Sequence, residues 1–155
     1  MFGFIFKGGY DERVAENKEH YLELRQFANE NDLSDHVTFV RSFSDTERVA
    51  LLKYATCLIY TPSKEHFGLV PVEAMCMKCP VIACSSGGPL ETVVDDATGY
   101  LCDANPLAFS TAMKKIAERV ELKQILGNAG YQHVLDNFSF EKFTEKLDKS
   151  VSIKN

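Results

Sequence analysis

The sequence contains no apolar run long enough to cross a bilayer. Its opening residues, Met1 to Lys7, are apolar but few. They have no basic lead and no cleavage site, so they do not read as a signal peptide. No basic tract stands out. The 17 basic and 22 acidic side chains give a net charge of −5, which argues against nucleic acid as the main partner. There is no repeat, linker or low-complexity stretch. A G-x-G-x-x-G, a P-loop, an H-E-x-x-H and a G-x-S-x-G are all absent, which removes the chemistries those motifs carry. An even cysteine framework is missing too. Cys57, Cys76, Cys79, Cys84 and Cys102 make five, an odd count that points to reduced thiols in a cytosolic setting. Cys76 and Cys79 have the spacing of half a zinc site. Cys84 and Cys102 do not supply a second such pair, and most of the cysteines sit in or beside apolar runs, as small core residues do.

What is present is an ordinary globular composition. The 155 residues are 45% apolar and 25% charged, enough for one domain, or a piece of a larger one, with a core that needs no disulfides. Short apolar runs alternate with helical patterns. Strands are expected at residues 2–6, 37–40, 57–60, 80–84 and 100–102. Between them, residues 13–31 place Val14, Tyr21, Leu24, Phe27 and Ala28 near helical spacing. Ser44 and Glu47 form a capping box ahead of a second helix. Residues 69–77 read as helical, and Pro89 suits the first turn of a helix. Asn105 and Pro106 read as the cap and first residue of another. The remainder, to about residue 149, reads as helix interrupted near Gly127 and Gly130 and again near residues 137–139. Ser139 there is a second cap.

Strands that are apolar on both faces and alternate with helices imply an α/β fold: a Rossmann-like parallel sheet covered by helices on both sides. Such sheets bind ligands at the carboxyl ends of their strands. Three strand-to-helix turns carry unusual residues there: Gly8, Gly9, Tyr10 and Asp11; residues 62–68; and residues 86–91. The middle turn is the most informative. Glu65 lies in the turn and Glu73 eight residues on, within the next helix. The helix start between them offers N–H groups and a positive dipole end to a diphosphate, and Gly68 permits close backbone approach. Carboxylates on either side can accept sugar hydroxyls. The plainer reading is a solvated Glu65 and a helix-surface Glu73.

Glu65 and Glu73 with Phe67-Gly68 between them, then Glu73-Ala74-Met75, Cys79-Pro80-Val81-Ile82-Ala83, Gly87-Gly88-Pro89 and Glu91, resemble the C-terminal, nucleotide-binding half of the retaining GT-B glycosyltransferases with an E-x7-E motif. The stretches Gly8 to Arg13, Val40 to Asp45, Tyr60 to Ser63 and Ser86 to Glu91 are similar, more narrowly, to the α-1,3/1,6-mannosyltransferases of lipid-linked oligosaccharide assembly. That resemblance implies GDP-mannose as donor, a dolichyl-diphosphate-linked glycan as acceptor, and work at the cytosolic face of the endoplasmic reticulum membrane. The segment itself would be soluble, and other membrane-associated mannosyltransferases are conceivable partners. It implies that Glu65 sits by the transferred mannose and steadies positive charge at the anomeric carbon. The N–H groups from Phe67 through Gly68 and Leu69 to Val70 would hold sugar and diphosphate, and Glu73 the ribose. Gly8, Gly9, Gly87 and Gly88 would let their turns approach the donor. His66 either touches the donor sugar or is solvated. No Asp-x-Asp occurs, so a metal-binding glycosyltransferase plan is unsupported, and the resemblance implies a donor substrate and no cofactor.

The resemblance also implies what lies outside these residues. Family members carry an N-terminal acceptor-side domain. Their C-terminal half opens with a strand and helix bearing an Arg and Lys pair that clamps the diphosphate. The present sequence starts at what resembles the second strand of that half. Residues 1–155 are therefore expected to be a partial donor-binding domain, lacking the first central strand of the order 3-2-1-4-5-6 and inactive in transfer alone. A binding fragment without transferase activity and a related enzyme with a UDP-sugar donor stay open.

Overall fold

A computed structural model describes residues 3–7 and 13–152. The elements in order are β1 (Phe4–Lys7), α1 (Ala15–Glu30), a 3-10 turn (Ser34–His36), β2 (Val37–Val40), α2 (Asp45–Tyr54), β3 (Leu58–Tyr60), α3 (Leu69–Cys76), β4 (Val81–Cys84), α4 (Pro89–Thr92), β5 (Gly99–Cys102), α5 (Pro106–Glu118), α6 (Glu121–Phe138) and α7 (Phe140–Ser152). The chain divides into two compact units, Met1–Arg48 and Val49–Asn155.

In the first unit β1 and β2 pair in parallel, Phe4 opposite Val37 and Lys7 opposite Val40. Phe6 stacks on Phe39 with ring centroids 5.4 Å apart, and Tyr21 of α1 meets Phe39 edge-on at 5.6 Å. That is how α1 is held on the strand pair. The capping box forms as its residues require: the Ser44 N–H donates to Glu47 Oε2 at 2.8 Å and the Glu47 N–H to Ser44 Oγ at 3.3 Å.

In the second unit β3, β4 and β5 form a parallel sheet with β4 in the centre. All four β4 residues are buried, which accounts for the unbroken apolar run Val81-Ile82-Ala83-Cys84. Alternate residues point to opposite faces. Val81 and Ala83 join a core with Ala74, Met75, Val93 and Val134. Ile82 joins another with Tyr100, Ala112, Ile116, Leu122 and Leu126. Helix α6 supplies Leu122 and Leu126 to one core and Val134 to the other. Asn105 caps α5, its Oδ1 accepting the Ala108 N–H at 2.9 Å, with Pro106 in the first turn. Ser139 Oγ accepts the Lys142 N–H at 3.3 Å at the start of α7.

Two expectations need correction. The five strands do not form one sheet among the described residues; they form a pair and a triple. Nor do Gly127 and Gly130 interrupt a helix, since α6 runs through both. A Cβ on Gly127 would overlap the Lys78 carbonyl oxygen, and one on Gly130 would lie 2.9 Å from Met75 Cγ. These glycines are thin spots where α6 presses on the end of α3. The interruption comes instead at Arg119 and Val120, between α5 and α6.

Candidate functional site

Parallel pairing brings the carboxyl ends of β3 and β4 to the same edge of the second unit's sheet. The segment after β3 carries Glu65 and the segment after β4 carries Gly87 and Gly88, so the two turns are neighbours. They are joined by backbone. The Gly88 N–H donates to the Glu65 carbonyl at 2.6 Å, and the Lys64 N–H donates to Ser86 Oγ at 3.2 Å. Lys64 holds a left-handed φ of 65°, a conformation that costs a non-glycine residue about 1–2 kcal/mol.

The glycines serve this docking, each for its own reason. Gly88 has an ordinary φ of −54°. What it lacks is room, because a Cβ there would overlap the Phe67 backbone. Gly87 combines a left-handed φ of 61° with backbone contact to Glu65. Gly68 is free of close neighbours, its Cβ position being 3.5 Å from the nearest atom, but its φ of 76° belongs to glycine. The resemblance implies that Gly87 and Gly88 let their turn approach a donor; in the structure they admit the Glu65 loop.

Gly68 immediately precedes α3 and puts no side-chain cap on it. The first turn holds no acidic residue, and Pro71 there has no N–H. The remaining first-turn N–H groups have no partner within the helix, and the end of a helix dipole is positive. Such an end attracts an anion. Glu65 in the loop and Glu73 in the second turn of α3 are both half-buried, and His66 and Leu69 are exposed. Val70 is half-buried and Gly68 buried. The segment from Glu65 to Glu73 thus carries two carboxylates with the helix-end amides between them. Gly8 and Gly9 lie outside the described residues.

Phe67 reaches outside this segment. Its ring meets that of Phe138, the last residue of α6, edge-on with centroids 5.9 Å apart. Sequence reasoning missed Phe138, because nothing in the spacing links positions so far apart. Ser86 was noted only as part of a turn.

Among the described residues no group of three or more His, Cys, Asp or Glu side chains could hold a metal ion. Cys79, Cys84 and Cys102 are buried and Cys57 and Cys76 half-buried. Burial pushes the Cys57 thiol up to about 11. Burial, with Cys57 nearby, pushes Cys79 up to about 12. Cys76 is raised by burial and then by the Glu73 charge.

No helix among the described residues is long and apolar enough to cross a membrane. The chain is 52% identical over 148 residues to human alpha-1,3/1,6-mannosyltransferase ALG2, a match covering 96% of this chain and 36% of that protein. The protein of the same name from Dictyostelium discoideum is 44% identical over 147 residues, covering 95% and 35%. The chain therefore spans about a third of the length of the curated relatives it matches. Among solved structures, sucrose-phosphate synthase from Thermosynechococcus elongatus superposes with a TM-score of 0.83 at 28% identity, over 97% of this chain and 39% of that one. Anabaena Alr3699/HepE in complex with UDP superposes at 0.86 and 20% identity, over 97% and 41%, a likeness of fold alone. The family model described as glycosyl transferases group 1 matches residues 4–133. That match takes in every strand described above and both docked turns, and it makes this chain a member of the group 1 glycosyl transferases.

Proposed function

We propose that this chain is the donor-binding part of a retaining mannosyltransferase. The enzyme would move mannose from GDP-mannose to a dolichyl-diphosphate-linked glycan at the cytosolic face of the endoplasmic reticulum membrane. The observation that carries the proposal is the pair of docked turns. They hold the Glu65 loop, which leads into the uncapped start of α3 with Glu73 in its second turn. Identity of 52% to a mannosyltransferase supports the choice of sugar.

In this reading the first-turn amides of α3 meet the diphosphate. Transfer with retention brings the new alcohol to the face from which the diphosphate departs, so stabilising that leaving group matters. A preorganised helix end does so electrostatically. Glu65 accepts mannose hydroxyls and steadies positive charge at the anomeric carbon, and Glu73 accepts ribose hydroxyls.

The test has two arms. Calorimetry with the chain alone should detect GDP, and Glu73→Ala should weaken it by about 1.5–3 kcal/mol, as expected for a hydrogen bond to a charged group. A chimera in which this chain replaces the matching segment of the human relative should transfer mannose. Glu65→Gln in it should abolish transfer with the melting temperature unchanged. Unaltered GDP affinity and unaltered turnover in these variants would refute the site. Preference for UDP over GDP would refute the donor.

A further inference from the structure

The Glu65 loop is held on one side by the backbone of the Gly87–Gly88 turn. On another it is held by a ring. Phe67 is 39% exposed, yet its ring stands at 81° to that of Phe138 with centroids 5.9 Å apart. Phe138 is half-buried and packs against the core of Ala74, Met75 and Val134. Its ring also meets His133 of α6 at 5.5 Å and 75°. His133 is tied to its own helix, its Nδ1 lying 3.1 Å from Asn137 Nδ2. Three rings therefore run from the core to the loop. Ring edges and faces attract in this geometry, so the contact resists rotation as well as separation.

Phe67 directly precedes Gly68 and the first amides of α3. A Phe67 ring released from Phe138 would let the Phe67 Cα shift, and with it the peptide planes that present those amides. We infer that Phe138 is a positioning residue for donor binding, its ring holding Phe67 and thereby the N–H groups from Phe67 to Val70 in the orientation that receives a nucleoside diphosphate. This rests on the donor-binding reading of the site. It gives a role to the end of α6, a region that the E-x7-E motif does not reach.

The experiment uses the full chain and two readouts. One is hydrogen exchange of residues 65–70 without ligand; the other is GDP affinity by calorimetry. Phe138→Leu should speed exchange there and weaken GDP, each by roughly three- to tenfold, the range an aromatic pair spans. Exchange in β4 should not change. Phe138→Tyr, which keeps the ring, should restore both. Phe140→Ala, at a position 75% exposed, should alter neither. Phe67→Leu should reproduce the effect on GDP, and the double variant should add little to it. Should Phe138→Leu fail to fold, Phe138→Met, whose flexible side chain fills irregular gaps without a ring, is read the same way. Unchanged exchange and GDP affinity in Phe138→Leu, or fully additive effects of the two substitutions, would overturn this inference alone. An unaltered chain that binds no GDP would overturn the donor reading, and this positioning role with it.

Discussion

Cys79 stands for what a single residue contributes here and how legible that is. It lies just before β4 and is buried between α3 and the sheet. Its apolar neighbours in the sequence already favoured a core thiol over a metal ligand. The raised thiols have a consequence for stability. The ordinary thiol value is 9.0, and in the folded chain Cys57 stands at about 11 and Cys79 at about 12. Above pH 9 the unfolded chain loses these protons first, so it binds fewer than the folded chain, and stability falls with rising pH. The favourable contribution is complete below about pH 9 and lost as pH passes through about 11 for Cys57 and about 12 for Cys79. Urea unfolding should therefore show a midpoint that drops between pH 8.5 and pH 10.5. Cys79→Ala should lower the midpoint at pH 8.5 but give a shallower decline. An equal decline in both chains would mean that Cys79 ionises alike in the folded and unfolded states.

At the scale of the element, signals contained within a few residues were readable in advance. The Ser44 and Glu47 box, the Asn105 and Pro106 start, the Ser139 cap and the apolar run of β4 each depend on atoms a turn or less apart. The behaviour of Gly127 and Gly130 depends on what lies across from them, and for that reason they read as breaks. Phe138 was opaque for the same reason, its partner Phe67 being in another element. Glu65 and Glu73 stand out through their spacing and motif; the docking of the Glu65 loop against Gly88 does not. The α6 glycines allow a paired test. Alanine gains about 1 kcal/mol over glycine in a helix interior. At Gly130 the obstacle is the Met75 side chain, which can shift, so Gly130→Ala should leave thermal stability within about 1 kcal/mol of the parent, the propensity gain offsetting the crowding. At Gly127 the obstacle is the Lys78 carbonyl, which cannot move without its helix end. Gly127→Ala should therefore lower stability by about 1–3 kcal/mol despite the same gain. Differential scanning calorimetry of both variants checks the order, and equal melting temperatures would count against close packing of α6 on α3.

For the whole molecule the two units differ in how much they bury. Ala28 is the one fully buried hydrophobic residue among the described residues of the first unit, whereas the second holds two cores around β4. Local opening energy follows such burial. Native-state hydrogen exchange should find α1, β1 and β2 opening at lower free energy than β4 and β5, and equal protection in the two units would contradict that. The docked turns have a consequence of another kind, for how such a chain can diversify. The Glu65 loop is received through its carbonyl and backbone, which are the same atoms whatever side chain Glu65, His66 or Phe67 carries. Gly87 and Gly88 form a socket that takes a backbone, and Phe67 is the loop side chain held elsewhere, against Phe138. The burden of remaining unchanged falls on the socket and on the Phe67 ring, while the exposed His66, whose side chain takes no part in the docking, is the position at which the loop can change on a frame that does not have to be rebuilt.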